Sequence, residues 1–554
     1  MRAHALTRAV LLTLALTACQ RAPAPAAPAA EPYDASAGAD ARRIEADVRF
    51  LADDLLEGRE AGTRGYDLAS LYVAQRLRAI GLRPAGDDGG YYQTVPMLRA
   101  TRVDGGGRLA IVRDGATTEL RFRDDYLPGL NYDNADASVD APAVFVAQGV
   151  VAPELQQDDY AGLDVKGKVA VMFYGAPPRF DNDRRAFYSS TAEKLRAAVE
   201  RGAVGVVFVH TAEEDERYPW TRVAQGWNKP GMRLRGDDGK GIDTFPQLRV
   251  VATTSSASAQ ALLGGEGRTA AQLFQAAQDG KLKGFALPGT LALAAKTRIE
   301  PMQSRNVVAA LDGSDTTLAR QNIVFTAHLD HMGIGAPVNG DAIYNGALDN
   351  ALGIAVMLET ANRLVHSTDK PKRSLLFVAV TAEERGLLGA EWFAQHPTVP
   401  RESLVANINM DMPMLLAPSK DVVPIGLEHS SLQPLVKQAA GDVGVSLSAD
   451  PSPEEAVFIR SDQYAFIRAG VPAVYLDAGI VAAGDGDPKA AREQFLRQRY
   501  HQPNDDVSQP IQYGDAARLA RLNARIGQLV ADTPQAPAWN AGDFFGDRFA
   551  PKAK

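Results

Sequence analysis

The sequence predicts an α/β protein: a mostly parallel central sheet flanked by helices, interrupted by an inserted β-rich segment. Three observations point there. Between Thr297 and Thr533, short apolar runs (NVVAAL, NIVFTA, SLLFVAV, LVANINM and PAVYL) alternate with stretches of helical period. Ahead of them, about 131–288, lies a stretch of different texture, with strand-like runs APAVFVA, KVAVMFYG and GVVFVH. And 554 residues exceed one ordinary domain, so two or more are expected.

The N-terminus reads as an export signal. Arg2 and Arg8 precede an apolar run, Ala9 to Ala18, that is too short to span a bilayer as a stable helix. The run ends in Leu16-Thr17-Ala18-Cys19, which resembles the lipobox of bacterial lipoproteins. That resemblance implies a signal peptide over 1–19, lipidation of Cys19, and attachment to the cell envelope. Gln20 in the next position implies the outer membrane, facing the periplasm. Residues 20–40 contain APAPAAPAAEP, a Pro/Ala tether unable to pack a core. Cys19 is the only cysteine, so an intrachain disulfide and a thiolate zinc site are both excluded.

From 41 to 130 the chain is expected to begin a folded domain. Ile44, Val48, Leu51 and Leu55 set one helical stripe, and Leu68, Leu71, Val73 and Leu77 a second, stopped by Gly81 and Pro84. The Gly-rich LEGREAGTRGY turns between them, and a β-rich stretch follows from Tyr91 to Phe122. Within 131–288, TAEKLRAAVERGA reads as a helix, and the polar run from Glu213 to Asp243 as an exposed loop. DYAGLDVKGKVAVM followed by AVERGAVGVVFVH resembles the protease-associated domain, a non-catalytic module inserted in exopeptidases. Residues 289–535 hold the strand-helix alternation, with helices expected at 351–364, 387–395, 432–440, 489–499 and 515–531, and 536–554 reads as a C-terminal tail.

Polar residues at the strand ends carry the chemistry. His328 follows NIVFTA, Glu383-Glu384 follow SLLFVAVTA, and Asp411 closes LVANINM. In open α/β sheets ligands bind outside the carboxyl ends of the strands. Each residue alone has a structural reading: Asp349 as a cap for the helix at Ala351, the acidic pair as a first turn favoured by the helix dipole. Together with His501 they form a zinc-compatible set, because zinc takes imidazole nitrogen and carboxylate oxygen. Two zinc ions can share one carboxylate and a water, and His328, Asp349, Asp411, Glu384 and His501 supply one shared ligand and two per metal. The carboxylate of Asp330, two residues after His328, is expected to hold the second imidazole nitrogen. Glu383 is left free to take a proton.

The runs AHLD, GALDN, AEE, NMDM and YHQP, in that order, resemble the co-catalytic zinc exopeptidase family that includes bacterial leucyl aminopeptidases and glutamate carboxypeptidases. The resemblance implies His328 and Asp411 on one zinc, Asp349 as the bridge, Glu384 and His501 on the second zinc, Glu383 as the general base, and a cis peptide bond at Asp349-Asn350. Leu348 stands where many members carry an acid, and Gln463 where many carry histidine. Some members steady the oxyanion with a tyrosine; the nearest position here is Phe458, with Arg460 close by, and the donor stays unassigned.

The expected function is therefore a two-zinc exopeptidase acting on peptides, with an aminopeptidase as the first reading. A carboxypeptidase or glutaminyl-cyclase-like enzyme on the same scaffold is the alternative. A non-catalytic receptor-like scaffold would have lost ligands, and none is missing. A net charge of -8 argues against nucleic acid as a partner.

Overall fold

A computed structural model of the chain describes residues 38–265 and 267–551. The expected signal peptide, Cys19 and most of the tether lie outside the described residues. No helix among those described is long and apolar enough to cross a membrane.

The sheet that holds the C-terminal strands is mixed. Its centre is four parallel strands, in the order Ser374–Val380, Asn322–His328, Leu404–Asn409 and Ala473–Ala478. All four are buried on both faces, which is why they read as continuous apolar runs rather than alternations. Antiparallel strands close both flanks. Asp421–Ile425 pairs with Ala473–Ala478, and on the other side residues 307–311 pair with Ser374–Val380. NVVAAL thus joins the sheet antiparallel, while the other four predicted strands form its parallel centre.

The helices fall near their expected places: Leu352–Val365, Leu388–Gln395, Leu432–Val443, Pro488–Gln498 and Tyr513–Asp532. Leu352–Val365 is buried over most of its surface, packed between the sheet and other helices, while Tyr513–Asp532 is amphipathic, burying an apolar side and turning Arg521 outward. At the N-terminus, Ala39–Leu51 and Arg64–Ile80 form the two expected helices. Leu71 differs from its expected place in the buried stripe: it is 48% exposed, and Tyr66, Ala69, Val73 and Leu77 make the buried face.

One strand, Phe285–Leu311, belongs to two sheets. Its first part pairs with Arg108–Arg113 and Asp136–Phe145 of the inserted segment, and its second with Tyr92–Arg102 of the mixed sheet. Arg108–Arg113 and Tyr126–Pro128, which precede residue 131, therefore lie in the sheet of the insertion. That sheet continues through the parallel strands Val169–Phe173, Gly205–Val209 and Val250–Thr254. The stretch expected as an exposed loop from Glu213 to Asp243 has more structure. It forms the helices Ala212–Arg217 and Trp220–Gln225, then the strand Gly231–Leu234, which pairs with residues 97–100 of the mixed sheet and buries Met232 and Leu234. Alternate burial of two apolar residues was too short a signal to stand out in a polar run.

Candidate metal centre

The parallel strands deliver their polar ends to one edge. His328 is the last residue of Asn322–His328, and Glu383-Glu384 and Asp411 lie just past their neighbours on either side. Asp349 comes from the start of the helix at Leu352, and the peptide bond after it is cis. His501 follows the helix Pro488–Gln498.

Asp349 sits between two histidines. Its Oδ1 is 3.3 Å from His328 Nε2, and its Oδ2 is 3.3 Å from His501 Nε2. His328 Nε2 also lies 3.0 Å from Asp411 Oδ1, and His501 Nε2 3.1 Å from Glu384 Oε2. The five residues expected to bind metal are thus brought together, with one carboxylate shared between two clusters. The donors are imidazoles and carboxylates, the set zinc takes when no thiolate is present. Glu384 Oε1 is buried and has no hydrogen-bond partner, as a ligand atom has when its ion is taken away.

The two members of the acidic pair are pushed apart in acidity. Burial lifts Glu383 well above the usual carboxyl range against the pull of His328, and Asp411 and Glu384 add to the effect. Burial and Asp349 would raise Glu384 as well, yet His501 and His331 bring it down to about 2. Burial alone would lower His328, but the carboxylates of Asp411 and Glu383 hold it well above the ordinary imidazole value.

Asp330 works differently from its expected role. His328 Nδ1 meets the backbone carbonyl of Asp330 at 3.1 Å, not the carboxylate. The Asp330 side chain turns beneath the acidic pair, where its two oxygens accept the backbone N–H groups of Glu383 (3.1 Å) and Glu384 (3.4 Å). The reason is geometric: those two amides lie at the end of a strand with no ladder partner, and a buried acceptor must satisfy them. Asp330 therefore fixes the backbone that carries both glutamates.

The departures noted in the sequence also find their places. Gln463 is buried, accepts from Asn409 Nδ2 at 2.7 Å and donates to the carbonyls of Val457 and Phe458. The backbone N–H of Leu348 donates to Asp505 Oδ1, and that of Asp349 to Oδ2. Neither Phe458 nor Arg460 is placed as an oxyanion donor: Phe458 is buried and stacked on His429, and Arg460 pairs with Glu455 at 2.8 Å. Asp462 is buried beside His328, Asp411 and Asp330.

Three residues of the site carried no sequence assignment. The Tyr500 ring stacks on the His501 imidazole at 3.9 Å, and Asp505 accepts from the Leu348 and Asp349 amides. His331 lies within the same TAHLDHMG run as His328, with its Nδ1 2.7 Å from Glu384 Oε1. The H-x-x-H spacing was its only signal, and it is a weak one. A cationic rim completes the surroundings. Arg385, next to Glu384, pairs with Glu60 at 2.7 Å. From the inserted segment, Arg233 packs close to Gly386, and Lys229 has its pKa lowered by burial and then by Arg385 and Arg222.

Comparison with known proteins agrees with this geometry. Residues 306–526 match the model of Peptidase family M28, and residues 139–242 match the PA domain. A "Probable zinc metalloprotease" of Pyrenophora teres f. teres is 37% identical over 114 residues, 21% of this chain and 23% of that protein. A "Glutamate carboxypeptidase 2 homolog" of Caenorhabditis elegans is 24% identical over 341 residues, covering 54% of this chain and 40% of that one. The chain thus spans well under half the length of these curated relatives. Among solved structures, the aminopeptidase from Aneurinibacillus sp. strain AM-1 superposes with a TM-score of 0.51 at 20% identity, covering 90% of this chain and 98% of that one, a likeness of fold.

Proposed function

We propose that the chain is a zinc-dependent exopeptidase with two zinc ions per chain, a reading supported by the match of residues 306–526 to the model of Peptidase family M28 and of residues 139–242 to the PA domain. The observation that carries this reading is Asp349, whose two carboxylate oxygens face two separate histidine-carboxylate clusters at 3.3 Å each. His328, Asp411 and Asp349 would hold one ion, and Glu384, His501 and Asp349 the other. Bound there, zinc supplies Lewis acidity, lowering the pKa of a water and polarising the scissile carbonyl.

The protein's own groups do the rest. Glu383 stands next to Glu384 and close to His328 and Asp411, where it would accept the proton of the attacking water and return it to the leaving amine. Asp330 fixes the Glu383 and Glu384 amides and so aims both side chains. Tyr500 stacked on His501, and Asp505 on the Leu348 and Asp349 amides, hold two ligands in place.

We take an aminopeptidase as the first reading. A specific observation favours a second: Arg233, which reaches Gly386 just past the acidic pair, and Lys229 near Arg385 are cations that suit a substrate carboxylate, as a carboxypeptidase needs. Peptides blocked at the amino or the carboxyl end separate the two. An aminopeptidase cleaves only those with a free N-terminus, and loss of cleavage on blocking the carboxyl end instead would overturn it. Aminoacyl-nitroanilides tested with and without chelator check the metal requirement.

For location, the proposal is lipid attachment at Cys19 in the outer membrane. Cys19→Ala is expected to move the protein from the membrane to the soluble fraction. An unchanged membrane fraction would refute it.

A further inference from the structure

His331 is completely buried, yet neither of its ring nitrogens has a hydrogen-bond partner. Burying an imidazole this way is costly. Its surroundings are nonetheless built to hold it there. The backbone N–H of His331 donates to the carbonyl of Arg59. The buried Arg59 guanidinium clamps the same loop by donating to the carbonyls of Leu329, Asn345 and Gly346. Gly346, at φ +61, makes room for the ring: a Cβ there would lie 2.5 Å from His331 Cγ.

The ring nitrogen points into the second cluster. His331 Nδ1 is 2.7 Å from Glu384 Oε1 and 3.8 Å from Asp349 Oδ2. The 2.7 Å contact does not have hydrogen-bond geometry, since both atoms remain unpartnered. Two buried donor atoms this close, without hydrogen-bond geometry between them, suit a shared cation. Ligand atoms at zinc distances of about 2.0–2.1 Å stand about 3.3 Å apart in a tetrahedron. His331, Asp349 and Glu384 also have ligand atoms all within 4.8 Å of one another. His501 approaches the same two carboxylates at 3.3 and 3.1 Å.

We infer that His331 is a fourth protein ligand of the ion held by Glu384, His501 and Asp349. The inference builds on the two-zinc reading above. It makes the two sites unequal. His328, Asp411 and Asp349 leave a position open for water, whereas four protein ligands close the second site, as in zinc sites that retain their metal. The ion beside Glu384 is then the retained one, and the ion beside Asp411 the exchangeable one.

X-ray absorption on the zinc-loaded full chain counts imidazoles per zinc and tests this directly. Three imidazoles over two zinc ions are expected. His331→Asn should remove one of them and weaken uptake of one zinc by at least about tenfold, with circular dichroism unchanged. If the asparagine variant does not fold, His331→Gln gives the same readout. His501→Asn is the control. If it loses an imidazole while His331→Asn and His331→Gln lose none, His331 is no ligand and the two-zinc reading stands. If the unaltered chain takes up no zinc, both are overturned.

Discussion

Asp330 shows how much one side chain can decide. Its two oxygens accept from consecutive amides, and both carry a glutamate of the site. Asp330→Ala leaves two buried donors unpaired at about 1–3 kcal/mol each. The variant should lose about 3 kcal/mol in denaturant unfolding and much of its activity, and Asp330→Asn should recover part of the stability. A loss below about 0.5 kcal/mol would mean that the two amides find other partners. At this scale the sequence was legible where residue type is tied to chemistry. His328, Glu384 and Asp411 announce themselves as donors at strand ends, and Asp349 and His501 as donors beside helices. What was not legible is direction. Nothing in TAHLDHMG tells whether the carboxylate or the carbonyl of Asp330 faces His328, nor that His331 turns inward, because both depend on how the loop after the strand is clamped by Arg59 from a distant helix-turn.

At the scale of elements, the C-terminal segment is the least expected. The short helix Phe544–Phe549 is locked by His429, whose Nδ1 lies 2.7 Å from Asp543 Oδ2. Burial would lower the His429 pKa, but Asp543 and then Asp183 raise it, and His429 in turn helps hold Asp543 below its ordinary value against burial. The sign follows from linkage. A raised histidine contributes stability fully below its unfolded value of 6.5, and that contribution is lost as pH climbs through the raised folded value. A lowered aspartate contributes above 3.8 and loses its contribution as pH falls through the lowered one. The lock is therefore strongest between about pH 4 and 6.5. Amide exchange of the helix should be slowest in that window and speed up toward pH 9 beyond the intrinsic pH effect. His429→Ala should abolish the pH dependence and cost about 2 kcal/mol; an unchanged profile would rule the lock out. Residues 536–554 were read as a tail because a lone histidine and one aspartate 114 residues apart leave no local pattern.

The whole molecule is tied together more closely than its two textures suggest. The strand Phe285–Leu311 runs through both sheets. Gly231–Leu234 reaches back from the insertion to pair with residues 97–100. The C-terminal helix bridges as well: Phe544 and Phe549 pack on Phe187 of the insertion, while Phe545 packs on His429 and Phe458. Removing residues 536–554 should open this contact, seen as new protease sensitivity near Phe187 with the metal centre retained. Periodicity could show the two textures, but such long-range pairings were beyond it. Zinc should also stabilise the whole chain, since a ligand bound only by the folded state adds RT ln(1 + [L]/Kd). Chelation should lower Tm by several degrees, and returning zinc should restore it; a Tm indifferent to chelator would argue against a metal at this centre.

The central claim is that the acidic pair divides its work, Glu384 holding metal and Glu383 moving a proton. The most direct test is the turnover of zinc-loaded Glu383→Ala, with its zinc content measured on the same sample. Two zinc ions per chain and a fall in turnover of at least about 100-fold are expected. Near-normal turnover with zinc in place would contradict it.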